Sequence, residues 1–155
     1  MINRKIFFAA TVAASALALT APAAAQVQGG SQGSVDGRDI SVGTSGYGST
    51  DGRSIEVGGT ADAEARNGGE VDTQTRARTN DRAAMQRSVA RARDEDERAR
   101  STTRTRVRQG EVVRSRTSTM YRERGQPPVR EIIRTTTTSE GTTTNRNGSS
   151  RPDPD

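Results

Sequence analysis

Beyond its first 25 residues this chain has no leucine, phenylalanine, tryptophan, cysteine, histidine or lysine. Each absence closes a route. Without cysteine there is no disulfide to staple a small core, and no lipid-modified cysteine to anchor the chain. Without cysteine and histidine the ligands of a structural zinc site are missing. Without histidine the usual general base of a serine nucleophile is gone, and thiol catalysis goes with the cysteine. The larger aliphatics left in residues 26–155 are four Ile, ten Val and two Met. Chains with so little Leu, Ile, Val and Phe, below about 20%, are usually disordered. Ordering a residue costs roughly 1–2 kcal/mol of conformational entropy, whereas fully burying a large aliphatic returns about 1.5–3 kcal/mol. Composition therefore predicts a mostly disordered chain of low complexity with no globular core.

What is there begins with a leader. Residues 1–25 (MINRKIFFAATVAASALALTAPAAA) carry a positive start at Arg4 and Lys5, an apolar run from Ile6 to Leu19, a break at Pro22, and an A-x-A site at Ala23-Ala24-Ala25. That is the layout of a secretory signal peptide, with cleavage expected between Ala25 and Gln26. The expected destination is the periplasm or the medium, with no membrane span left in the mature chain.

The remainder reads as three segments. Residues 26–79 are rich in Gly, Ala and Thr, and open with a Gly/Ser/Gln linker at 26–34. A tandem repeat follows: Asp36-Gly37-Arg38-Asp39-Ile40-Ser41-Val42-Gly43 matches Asp51-Gly52-Arg53-Ser54-Ile55-Glu56-Val57-Gly58. Asp-Gly signals a turn, and I-x-V puts two β-branched side chains on one face of a strand. With the hairpin signal at Asn67-Gly68, residues 35–79 can form a short antiparallel β meander with a thin face of Gly, Ala, Thr and Val. Residues 80–134 are Arg-rich. Within them 80–100 predicts one charged α-helix: Asn80 or Asp81 can cap it, alanines recur, and Arg91–Glu95, Arg93–Glu97, Asp94–Arg98 and Asp96–Arg100 stand at i,i+4 spacing. Gln109-Gly110 can turn a hairpin that sets Val107 opposite Val112. Pro127-Pro128 ends any regular element. Residues 135–155 are a Thr/Ser tract expected to be disordered, with a weak glycosylation triplet at Asn147-Gly148-Ser149.

Charge is distributed unevenly. Residues 26–75 hold 3 Arg and 8 acids, 76–134 hold 17 Arg and 8 acids, and 135–155 hold 2 Arg and 3 acids. A short unit recurs at Thr75-Arg76-Ala77-Arg78-Thr79, Thr103-Arg104-Thr105-Arg106-Val107 and Val113-Arg114-Ser115-Arg116-Thr117. In an extended chain an Arg-x-Arg pair projects both guanidiniums to one side. Guanidinium forks bind phosphate and carboxylate bidentately and keep their charge at any ordinary pH. The candidate anion-binding residues are Arg76, Arg78, Arg104, Arg106, Arg108, Arg114, Arg116, Arg122 and Arg124. With only Tyr47 and Tyr121 available to stack on bases after residue 25, sequence-specific nucleic-acid recognition is not expected. Salt-sensitive contact with an anionic polymer or membrane surface is.

Catalysis finds no footing. Asp94-Glu95-Asp96-Glu97 are sequence neighbours that face different ways, and they lack the spacing of a calcium loop. The sequence reads as non-enzymatic, with no catalytic, metal or cofactor-binding residue and no cofactor. Two functions remain: an exported protein whose Arg-rich segment meets anionic envelope or extracellular polymers, and a structural surface protein that self-associates through strands of the 35–79 repeat segment.

Overall fold

Thr, Ser, Ala, Val and Gly occupy alternate positions through most of the chain after residue 26, with Arg or another polar residue between them. Alternation with period two makes a strand with one inward and one outward face, and β-branched Thr and Val suit the pleat. A computed structural model describes residues 26–149 apart from 52, 67 and 111. The leader reading of residues 1–25 lies outside the described residues, as does the end of the tail.

Ten strands account for nearly everything described: β1 (Val27–Asp36), β2 (Ile40–Thr50), β3 (Ile55–Gly58), β4 (Ala61–Ala65), β5 (Glu70–Asn80), β6 (Ala83–Arg93), β7 (Glu97–Arg108), β8 (Val112–Glu123), β9 (Val129–Thr138) and β10 (Gly141–Ser149). They form two antiparallel sheets. In the four-stranded sheet β2 is central, with β1 on one side and β3 and β4 in succession on the other. The six-stranded sheet is an unbroken run of hairpins in the order β10-β9-β8-β7-β6-β5. The smaller sheet lies on the larger one, β1 over β8 and β9, and β2 over β7 and β6.

The expectation of a mostly disordered, low-complexity chain is overturned by this all-β sandwich. The 80–100 helix is in fact the hairpin of β6 and β7. None of its four i,i+4 pairs forms an ion pair; Arg91 pairs instead with Asp72 at 3.0 Å and Arg93 with Glu70 at 3.1 Å, both across to β5. Residues 26–34 are not linker but most of β1, and the Thr tract enters β9 and β10. Residues 35–79 do not form a single meander either. The chain leaves the smaller sheet after β4, and β5 is the edge of the larger one, with Gly68 at φ +80° in the connection. The hairpin at Gln109-Gly110 is present with Gly110 at φ +67°, but Val107 faces Val113 rather than Val112. That one-residue difference matters, because it puts both valines on the buried face.

A core exists because it is built from residues that a count of large aliphatics ignores. Two apolar clusters sit at opposite ends of the sandwich. One gathers Val35, Ile40, Val42, Ala90, Ala92, Ala99 and Tyr121; the other gathers Val27, Val107 and Val113. Between them run seven buried hydroxyls in one hydrogen-bonded chain. Thr105 and Ser115 are 2.9 Å apart, Ser115 and Ser31 2.6 Å, Ser31 and Thr117 2.8 Å, Thr117 and Thr103 2.7 Å, Thr103 and Thr44 2.8 Å, and Thr44 and Ser101 2.6 Å. Ser101 Oγ then donates to the Gly33 carbonyl at 3.1 Å. If each hydroxyl donates to the next in that order, every proton of the chain has an acceptor, so these seven groups carry little of the usual desolvation penalty. The sheets can approach closely because glycine stands opposite threonine. A Cβ added at Gly46 would lie 2.5 Å from Thr105 Oγ1 and 2.7 Å from Thr103 Cγ2, and one at Gly33 would lie 2.7 Å from Thr117 Cγ2.

The first copy of the repeat leads into β2 and the second into β3, and the described residues of each are secured differently. In the second copy Asp51 Oδ1 accepts from the Arg53 amide at 2.8 Å and the Ser54 amide at 2.6 Å. These bonds, that to Ser54 foremost, draw the Asp51 carboxyl below its ordinary range. In the first copy the acceptor comes from far along the chain. Glu97, only 5% exposed, accepts from the Arg38 amide at 3.1 Å, the Asp39 amide at 3.0 Å and the Tyr121 hydroxyl at 2.7 Å. Burial pushes the Glu97 carboxyl up, but the tyrosine and the two amides outweigh it and leave it below the ordinary value. Burial and the adjacent carboxylate in turn drive the Tyr121 phenol well above its usual range.

Candidate anion-binding face

Alternation that buries Thr and Ser on one face of β6–β9 puts Arg on the other. In β7 the inward residues are Glu97, Ala99, Ser101, Thr103, Thr105 and Val107, and the outward ones are Arg98, Arg100, Thr102, Arg104, Arg106 and Arg108. The hairpin registers then align the outward arginines of successive strands. Arg76 faces Arg87, Arg87 faces Arg104, Arg104 faces Arg116, and Arg116 faces Arg134. Five arginines thus form one row across five strands. With strands about 4.8 Å apart, the row is about 19 Å long. None of the five has a carboxylate partner among the described residues.

Four residues further along the strands lies a second, interrupted row: Asp72, Arg91, Arg100, Met120 and Arg130. Between the two rows run shorter or apolar residues, Gln74, Val89, Thr102, Ser118 and Ile132. The result is a trough that crosses the strands, about 14 Å between its arginine rows by strand geometry. Its central part is a basin of about 420 Å³ with Thr102 and Ser118 between the guanidinium-bearing residues Arg87, Arg100, Arg104, Arg116 and Arg130.

Like charges directly opposite each other on a sheet are unfavourable. Partial desolvation, and then the positive charges of Arg104, Arg100, Arg91 and Arg76, make Arg87 hold its proton less tightly than an isolated guanidinium. Arginine remains charged nonetheless, so counter-anions can relieve the repulsion where proton loss does not. A surface of this kind can bind phosphate, sulfate or carboxylate groups through several forks at once.

The nine arginines singled out by sequence fall in different places. Arg104 and Arg116 border the basin, and Arg76 extends their row onto β5. Arg78, Arg106 and Arg114 form the adjacent row on the same face, with Met85 between Arg78 and Arg106. Arg108 and Arg122 lie toward opposite ends of that face. Arg124 is not on it; it follows β8 in the turn and pairs with Asp96 at 3.6 Å. Sequence reasoning missed Arg87, Arg100, Arg130 and Arg134. The first two were hidden by the helix reading of 80–100. The signal that could have found them is the period-two alternation Ala84, Gln86, Ser88, Ala90, Ala92 against Met85, Arg87, Val89, Arg91, Arg93.

No family model, curated protein or solved structure matches this chain.

Proposed function

We propose that this is an exported, non-enzymatic binding protein whose outer arginine face holds linear anionic polymers of the cell envelope or its surroundings. The observation that carries the reading is the unbroken row Arg76–Arg87–Arg104–Arg116–Arg134, which lacks carboxylate partners among the described residues. An isolated surface arginine needs no ligand, but a row of five at sheet spacing concentrates positive potential along a line. A polyanion laid across the strands meets a guanidinium at each step. Recognition of this sort reads charge density and not monomer identity, because only uncharged side chains, Gln74, Val89, Thr102, Ser118 and Ile132, lie between the rows. Export rests on the leader-like residues 1–25.

The test is a titration of fluorescently labelled polyphosphate with the purified protein at salt concentrations from about 50 to 500 mM. Affinity should fall linearly with salt on logarithmic axes, with a slope of about −0.7 per charge contact by analogy with single-stranded polyanions. The double substitution Arg104→Ala/Arg116→Ala should weaken binding and flatten the slope by about 1.4. Arg53→Ala/Arg66→Ala, two arginines outside the six-stranded sheet, should leave both unchanged. Salt-independent binding, or equal losses from the two double variants, would sink the proposal.

A further inference from the structure

The six-stranded sheet ends on two edges, and they are unlike. At β10 the described side chains are exposed, yet Arg146 is turned to the inner face, where it pairs with Glu131. An inward-pointing charge of this kind is a known way of blunting an edge. At β5 no such device exists. All eleven residues Glu70–Asn80 are exposed, the register with β6 is unbroken from Glu70↔Arg93 to Asn80↔Ala83, and the strand contains no proline or lysine. Its far side offers a ladder of backbone groups with no strand to pair with among the described residues.

The charges of β5 are also segregated. Along the outer face the order is Glu70, Asp72, Gln74, Arg76, Arg78. An antiparallel copy of this strand paired about Gln74 sets Glu70 opposite Arg78 and Asp72 opposite Arg76, each twice because of the two-fold symmetry. On the inner face Val71 meets Ala77 and Thr73 meets Thr75. Registers that move the axis by one residue keep the faces aligned but lose one of the two ion-pair types. An axis at Thr75 sets Gln74 opposite Arg76, and an axis at Thr73 sets Asp72 opposite Gln74. Cross-strand opposite charges favour a register and like charges disfavour it.

We propose that β5 pairs with β5 of a second copy of this chain about a two-fold axis at Gln74, joining two six-stranded sheets into one of twelve strands. Such an interface is isologous and closed, so it consumes the edge and ends at the dimer. It is also short, so association should depend on concentration and weaken as salt screens the ion pairs. The dimer does not depend on the anion reading, but it extends that surface. Arg76 of one copy would stand opposite Asp72 of the other, beyond which lie Arg91 and Arg100, so a long polyanion could cross both copies.

The test uses the purified protein without any polyanion, so its failure and that of the anion reading are separable. Sedimentation velocity over a concentration series should show a reversible monomer–dimer equilibrium. Because the chain has no cysteine, single cysteines report the register directly. Gln74→Cys places the two sulfurs across the axis, within disulfide reach, and should cross-link under mild oxidation. Arg78→Cys places them about 27 Å apart by strand rise and should cross-link at least tenfold less. Arg76→Glu/Arg78→Glu and Glu70→Arg/Asp72→Arg should each be monomeric alone, and an equimolar mixture of the two should dimerise. Equal cross-linking at residues 74 and 78, or a mixture that stays monomeric while both variants are folded, would overturn the proposal. If either charge variant fails to fold, the cysteine pair decides.

Discussion

The two faces of the six-stranded sheet are made by the same strands, one residue out of step, and they solve opposite problems. The inner face is polar and closed along its centre: each hydroxyl from Thr105 to Ser101 has a neighbour, and the chain ends on the Gly33 carbonyl, while Gln86 Oε1, Thr119 Oγ1 and Thr135 Oγ1 beside it have no partner among the described residues. The outer face is polar and open: arginine stands against arginine across four strand boundaries. Buried polar groups that satisfy one another specify a fold. Exposed charges that repel one another specify nothing about a fold and are relieved by something from outside. Stability should therefore respond to changes on the inner face and binding to changes on the outer one.

The largest loss should follow from filling the space where the sheets touch. At Gly46 the new Cβ would strike Thr105 and Thr103 on the opposite sheet, with Gln86 close by, and no long flexible side chain stands there alone to yield. We expect Gly46→Val to cost about 3 kcal/mol or more, at or beyond the upper end of ordinary overpacking. Urea unfolding followed by circular dichroism measures it. A loss under 1 kcal/mol would mean that the sheets separate easily and that the glycine–threonine contact is not what sets their spacing. Anion binding by whatever fraction remains folded should be that of the parent.

A smaller loss should come from Thr103→Val, which keeps the shape and removes one link from the middle of the hydroxyl chain. Thr117 and Thr44 each keep one neighbour, Ser31 and Ser101 respectively. The Thr117 proton loses the acceptor it has when each hydroxyl donates to the next. The expected cost is about 1–2 kcal/mol, the penalty for one buried donor left unmade. Thermal unfolding would show it as a drop of several degrees for a domain of this size. No change would mean that the hydroxyls contribute shape alone.

The comparison also explains what could be read from the sequence. The Asp-Gly-Arg turns, the extended Thr-Arg-x-Arg units and the one-sided projection of Arg-x-Arg pairs were legible, because each depends on residues within a few positions. The existence of the core was not. It rests on Thr44 meeting Thr103 and Ser31 meeting Ser115, partners 59 and 84 residues apart. Such hydroxyls count as polar in any tally of apolar content. The 80–100 hairpin was misjudged because Ala and i,i+4 charge spacing favour a helix locally, while the strand partners that override them, Glu70 and Asp72 for Arg93 and Arg91, lie in another segment. Single arginines of the outer face were visible in the sequence. Their alignment into a row was not, since it depends on four hairpin registers.

The smallest stability effect and a clear binding effect should meet in Arg87→Gln. Arg87 has like-charged neighbours on both adjacent strands and no carboxylate partner among the described residues. Removing its charge relieves repulsion without opening a cavity, so folding stability should stay within about 0.5 kcal/mol of the parent or rise slightly. Polyphosphate affinity should fall, and the logarithmic salt slope should flatten by about 0.7, one contact's worth. Comparing urea midpoints and salt titrations of this one variant separates the two faces. If stability drops by more than 1 kcal/mol while the salt slope holds, Arg87 belongs to the fold after all, and the division between a closed inner face and an open outer one fails at its centre.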